Sequence, residues 1–162
     1  MQNFEFEYNG KKLWYSRSLA VSLLAHTIFN GKIWILANKR GEGAEFNKYL
    51  WNLPGGFVDF NETAEEAACR ETLEETGYII NPQDISLVYL DTNPKNGWRQ
   101  TMVAKFNIAL ERVPERDANF SLVNTNGEVE EVEWIALDEL DNYNWVRGQK
   151  EYIKKYFSIL EE

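Results

Sequence analysis

GGFVDFNETAEEAACRETLEETG, residues 55–77, carries more structural information than any other stretch of this chain. It opens on a glycine pair after Pro54, crosses a short polar turn and becomes a Glu-rich segment that stops at Gly77. Its punctuation is that of a single helix lying between Asn61 and Gly77. Asn61 suits the N-cap, because its side-chain oxygen accepts a free backbone N–H of the first turn. Gly77 suits the position after the last turn, because glycine enters the left-handed conformation without strain. At about 100° per residue, Glu71, Glu74 and Glu75 project from one side, on an arc shared with Ala64, Ala67 and Ala68. Cys69, Thr72, Leu73 and Thr76 fall on another arc and are expected to face a core. Glu71 and Glu75 stand one turn apart and repel each other by a few tenths of a kcal/mol in an isolated helix. That repulsion is of no use to a purely structural helix. A hard divalent cation needs such a face, since Mg2+ takes oxygen ligands and keeps water or phosphate in its remaining positions.

A solvated acidic face is the ordinary fate of a Glu-rich helix. Here the whole spacing argues against it: Gly56, five residues, Glu62, seven residues, Arg70-Glu71, then Glu74-Glu75 and Gly77. This spacing resembles the Nudix box, the signature of the Nudix hydrolases, at every charged and glycine position. Trp51 and Leu53, in the YLWNLP that leads into the box, are similar to the W-x-L-P-G-G of many members. Thr72 and Tyr78 stand where the family usually has aliphatic residues. Thr72 can still pack, and Ile79 and Ile80 follow Tyr78, so neither touches the chemistry.

The resemblance implies a fold, a reaction and a set of roles. The fold is α/β, a mixed sheet sandwiched between helices, covering roughly Leu19 to Leu140. The reaction is hydrolysis of the pyrophosphate bond in a nucleoside diphosphate derivative, with Mg2+ or Mn2+ as cofactor. Glu71 and Glu75 are the implied inner ligands, Glu74 is a ligand or holds a metal-bound water, and the carbonyl of Gly55 or Gly56 completes the set. Arg70 orients the carboxylates, and Glu62 supports the junction of loop and helix. The general base is either a box Glu or a Glu before the last strand, where Glu128 has the preferred spacing ahead of Glu130, Glu131 and Trp134. Glu128 equally reads as an outward residue of an acidic strand.

Composition sets bounds. A chain of 162 residues that is 44% hydrophobic has room for one domain with a real core. A net charge of −9 argues against a surface that coats a nucleic-acid polymer, which needs clustered Lys and Arg. It does not argue against a free nucleotide. The single Cys69 has no partner within the chain, which fits the reducing cytoplasm. The opening MQNFEFEYNG lacks the pattern of a secretory signal, and no apolar run approaches the length of a membrane span.

Outward from the box the chain alternates strand-like runs and turns. FEFEY and KKLWY flank Asn9-Gly10, a hairpin over residues 1–16 that is either an edge addition, a cover for the site or a homodimer contact. Leu19 to Phe29 reads as a central strand and contains His26, expected in the core. Asn30-Gly31 turns the chain into the returning strand Lys32 to Asn38. Lys39 to Gly43 reads as a mobile charged loop, with Lys39 and Arg40 as phosphate candidates. Asp84 to Leu90, Arg99 to Leu110 and Glu128 to Ile135 read as further strands. A short helix is expected from Leu137, and residues 145–160 should add a C-terminal amphipathic helix.

The substrate is written outside the box. Pro94 and the following NGWRQT look like the P-x-x-x-x-G-R segment of ADP-ribose-cleaving members, which makes Arg99 and Trp98 candidates for substrate contact. That likeness favours ADP-ribose or a related nucleotide sugar. The alternatives are a house-cleaning nucleoside triphosphate hydrolase and a nucleotide-sensing module that binds without cutting.

Overall fold

The apolar run around Leu23 becomes the middle of a mixed sheet. A computed structural model describes residues 4–95 and 101–160. The described residues form β1 (Phe4–Tyr8), β2 (Lys11–Tyr15), β3 (Ser18–Phe29), β4 (Lys32–Arg40), β5 (Trp51–Asn52), α1 (Ala64–Thr76), β6 (Ser86–Asp91), β7 (Thr101–Leu110), β8 (Val129–Ala136) and α2 (Gln149–Leu160). β7 runs parallel to β3 from the Ser18–Thr101 pair to the Thr27–Leu110 pair, and β6 closes that edge antiparallel to β7. β1 and β2 make a separate antiparallel hairpin. At its turn Asn9 and Gly10 both have positive φ, 50° and 70°, as a tight hairpin requires.

Because successive strand residues point to opposite faces, the apolar run of β3 feeds two cores at once. Val21, Leu23 and Ala25 join Leu36, Phe106 and the alanines of α1 on one face. Leu24 joins Ile35, Ala37, Tyr152, Ile153 and Phe157 on the other, under α2. The result is the expected α/β sandwich, one sheet between helices. His26 is buried against the rings of Tyr156 and Phe157, and that burial lowers its pKa.

β4 changes partners partway along, and this places the site. It pairs with β3 only where His26 to Phe29 face Lys32 to Ile35. Farther on, the same edge pairs with β5, with Asn38 opposite Asn52 and Lys39 opposite Trp51, while β8 follows the other edge. The split between β3 and β4 is filled by the glycine lead-in of the box. Leu23 donates its N–H to the Pro54 carbonyl at 2.9 Å, and Val21 donates to the Gly56 carbonyl at 2.8 Å.

Several boundaries differ from the sequence reading, each for a tertiary reason. Lys39 and Arg40 are strand, not loop, because β5 and β8 hold both edges of β4 there. The C-terminal helix starts at Gln149, because Trp51 captures the preceding chain: its N–H donates to Asn144 and its carbonyl accepts from Val146, both at 2.8 Å. The short helix after β8 is a 3-10 segment, Leu137–Asn142. No helix among the described residues is long and apolar enough to cross a membrane.

Candidate active site

α1 is capped at both ends, but its N-cap is Thr63 rather than Asn61. The Thr63 hydroxyl accepts from the Glu66 N–H at 3.2 Å, and the Glu66 carboxylate accepts from the Thr63 N–H at 2.7 Å. Threonine followed three residues later by glutamate makes this reciprocal capping box; Asn61 has Ala64 at that place. At the other end Gly77 takes φ 76° and donates to the Leu73 carbonyl at 2.8 Å, and a Cβ there would strike the Phe120 ring. The helix seats on the sheet through Ala67, Ala68, Cys69, Thr72 and Thr76, small enough for close approach. The two threonines lie in the apolar interface by donating back to their own helix, Thr72 to Ala68 O at 2.7 Å and Thr76 to Thr72 O at 2.6 Å. Leu73, expected in the core, is instead 36% exposed, because the alanine edge of the helix takes the inward position.

On the acidic side Arg70 is the hub. Its Nε and Nη2 donate to the two oxygens of Glu62 at 2.9 and 2.7 Å, a bidentate pair. Its Nη1 donates to Glu71 at 2.9 Å and to Glu74 at 3.1 Å, and Nη2 also reaches the Phe57 carbonyl at 3.0 Å. Glu62 accepts in addition from the Asp59 N–H at 2.8 Å. These bonds, Arg70 first, pull the Glu62 pKa down to about 2, and Glu62 in turn raises that of Arg70. Helix and preceding loop are thereby tied together through one guanidinium.

Glu71 folds over Gly56, where a Cβ would overlap its carboxylate. Burial raises its pKa, against the opposing pull of Arg70. Glu75 lies deeper and accepts the Gly55 N–H at 3.0 Å. Some of the residue's surface meets solvent, but its carboxylate is enclosed, and this with the nearby Glu71 charge pushes its pKa up to about 8. The Gly55 N–H, the Asn38 amide and the Arg40 charge only partly offset that penalty.

The other candidates from the sequence are placed as follows. Lys39 Nζ pairs with Glu131 at 2.7 Å and Glu130 at 3.5 Å. Arg40 donates from Nε to the Phe46 carbonyl at 2.8 Å, and its charge slightly favours the ionised form of Glu75. Glu128 is exposed just ahead of β8, and its carbonyl accepts the Gly41 N–H at 2.7 Å. Trp98 and Arg99 lie outside the described residues. Asn38 was missed by the sequence reading, although a polar amide inside the apolar KIWILAN was a visible signal.

Among the described residues no three acidic, histidine or cysteine side chains converge at metal-binding spacing. Arg70 draws Glu71 and Glu74 to itself, while Glu75 faces Gly55. The donor set nevertheless fits a hard divalent cation. It consists of carboxylate oxygens, and the enclosed Glu75, whose charged form burial disfavours, accepts the Gly55 N–H and makes no ion pair among the described residues, so a bound cation would favour its ionised form. Gly56, with no side chain of its own, lets the Glu71 carboxylate lie directly against the backbone.

Comparisons with known proteins give the family and the fold. A putative 8-oxo-dGTP diphosphatase of Bacillus subtilis is 76% identical over 29 residues, 18% of this chain and 20% of that protein. The NUDIX domain of Shewanella oneidensis NrtR, solved with ADP ribose, superimposes with a TM-score of 0.73 at 18% identity, over 90% of this chain and 89% of that one. A bifunctional NMN adenylyltransferase/ADP ribose pyrophosphatase of Francisella tularensis gives 0.68 at 23% identity, over 89% of this chain and 41% of that one. The chain spans between a fifth and a half of the length of the curated relatives it matches. The NUDIX domain family itself matches residues 18–156, and with the box, the capped acidic helix and the sandwich fold in place, the chain belongs to the Nudix family.

Proposed function

We propose that this protein hydrolyses the pyrophosphate bond of a nucleoside diphosphate derivative, ADP-ribose or a related nucleotide sugar, with Mg2+ or Mn2+ as cofactor. The observation that carries the reading is the carboxylate face of α1 held against the Gly55-Gly56 backbone. Glu71, Glu74 and Glu75 would hold the cation, with a carbonyl of Gly55 or Gly56. When bound, such an ion makes water more acidic and neutralises charge developing on phosphate.

The chain's own residues do the rest. The narrow glycine lead-in admits a phosphate close to the backbone. Arg70 fixes Glu71 and Glu74 in orientation, and releasing either is a matter of breaking one hydrogen bond each. Arg40, whose charge already favours the ionised form of Glu75, is suited to a substrate phosphate. The oxygen of water attacks phosphorus, the anhydride P–O bond breaks, and a carboxylate takes the proton. Glu128 or a box Glu serves as that base. Substrate choice rests on the segment from Pro94 to Arg99, and two fold relatives named for ADP ribose support it. The name of the Bacillus subtilis relative favours a second reading, a nucleoside triphosphate hydrolase.

A substrate panel with Mg2+ and with chelator separates them. The expected result is metal-dependent conversion of ADP-ribose to AMP and ribose 5-phosphate. Release of pyrophosphate and a monophosphate from triphosphates alone would transfer the assignment to the second reading. Saturable binding with no turnover of any compound would make the protein a sensor.

A further inference from the structure

Asn38 is fully buried in the last third of β4, at 0% exposure. Strand alternation sends its neighbours Ile35 and Ala37 into the core under α2, and Leu36 and Asn38 to the face covered by α1. A position in the middle of a covered sheet is normally aliphatic. Among the described residues neither Nδ2 nor Oδ1 of Asn38 has a partner at ordinary hydrogen-bond geometry. Its cross-strand partner Asn52 repeats the pattern: Nδ2 donates to the Leu53 carbonyl at 2.8 Å, while Oδ1 is unpartnered and buried. Two buried amides with three idle polar atoms cost stability. The Glu75 carboxylate, which accepts the Gly55 N–H in the glycine lead-in, lies near enough for the Asn38 amide to favour its charged form.

We infer that Asn38 is a positioning residue for Glu75, its amide N–H fixing the orientation of that carboxylate towards a bound divalent cation. The inference rests on the proposed metal role of Glu75. Strand pairing explains why the amide is so placed: β4 brings Asn38 beside the glycine lead-in only because β5 replaces β3 as its partner there. An aliphatic residue would pack this site better and leave Glu75 unguided. Local rules of burial broken at one residue beside a functional group are the expected mark of a site.

Mn2+ alone, titrated into the full chain and read by the free-ion paramagnetic resonance signal, tests this without any substrate. Asn38→Leu is expected to weaken Mn2+ binding roughly 10- to 100-fold, as loss of a group supporting a ligand does. Its melting temperature in chelator should equal or exceed that of the native chain, and Asn38→Ser, which retains a donor, should recover most of the affinity. In turnover, kcat should fall with KM nearly constant. Native Mn2+ affinity in Asn38→Leu would overturn the inference. So would lost affinity accompanied by a lower melting temperature, which would reduce Asn38 to packing. If the native protein binds Mn2+ but cleaves no nucleotide, the hydrolase reading fails while the affinity result still decides the role of Asn38.

Discussion

The two helices cover opposite faces of one sheet and are built on opposite terms. α2 presses Tyr152, Ile153 and Phe157 into a core already lined by Leu24, Ile35 and Trp51. α1 offers the sheet nothing larger than Ala67, Ala68, Cys69, Thr72 and Thr76, and spends its outer side on Glu71, Glu74 and Glu75. Large aromatic burial stabilises α2 directly, since a buried aromatic removes much apolar surface from water. α1 depends on its capping box, its left-handed glycine and the Arg70 hub. The contrast teaches that stability and chemistry have been assigned to different faces. Small residues under α1 let its backbone approach the β3–β4 split, where Glu71 and Glu75 lie against Gly56 and Gly55.

This division is open to direct attack. The largest expected effect is on catalysis: Glu75→Gln should lower kcat/KM roughly a thousandfold or more, since several kcal/mol of charge stabilisation depend on the ion. Its melting temperature in chelator should not fall, because an enclosed carboxylate is replaced by a neutral group. Near-native turnover in that variant would break the assignment of chemistry to α1. Next comes Phe157→Ala on the other face, where Phe157 is 5% exposed and stacks edge-on with His26 at 5.0 Å. It should destabilise the fold by about 3 kcal/mol in urea denaturation, while the folded fraction keeps its KM. A large change in KM would mean that the two faces are not independent.

The smallest effect is one of pH. Glu62 has its pKa drawn from the ordinary 4.5 down to about 2 in the folded protein. A depressed carboxylate pKa stabilises the fold above the unfolded value, and that stabilisation is lost as pH falls from about 4.5 towards about 2. Melting temperatures measured across that range should therefore decline more steeply for the native chain than for Glu62→Gln. Equal slopes would show that the Arg70 hub does not hold the loop to the helix.

Much of this was legible from residue order. Turn chemistry identified the Asn9-Gly10 and Asn30-Gly31 hairpins, because an Asn-Gly pair adopts positive φ cheaply and does so wherever it falls. The Gly77 stop and the one-sided carboxylates followed from helical geometry alone. The N-cap was misplaced by two residues because two capping residues compete there, and Glu66, three beyond Thr63, decides between them. Leu73 was misassigned because helical arcs rank residues by hydrophobicity, whereas the sheet accepted the alanine edge that permits closest approach.

The sequence by itself determined the one-sided acidic face of α1 and the family, since both depend on spacing along a single segment, and its alternation of strand-like and helical runs determined the α/β class. Tertiary structure alone decided three other matters. It extended β4 through Lys39 and Arg40, because both edges found partners from distant parts of the chain. It tied Lys39 to Glu130 and Glu131 while leaving the Arg40 charge to favour the ionised form of Glu75. It also brought Asn38 up to Glu75, two residues 37 positions apart along the chain with no shared periodicity, through a sheet that splits where the glycines enter. Periodicity reports which face of an element is apolar. Which faces then meet depends on strand pairing between distant segments, and no local pattern encodes that.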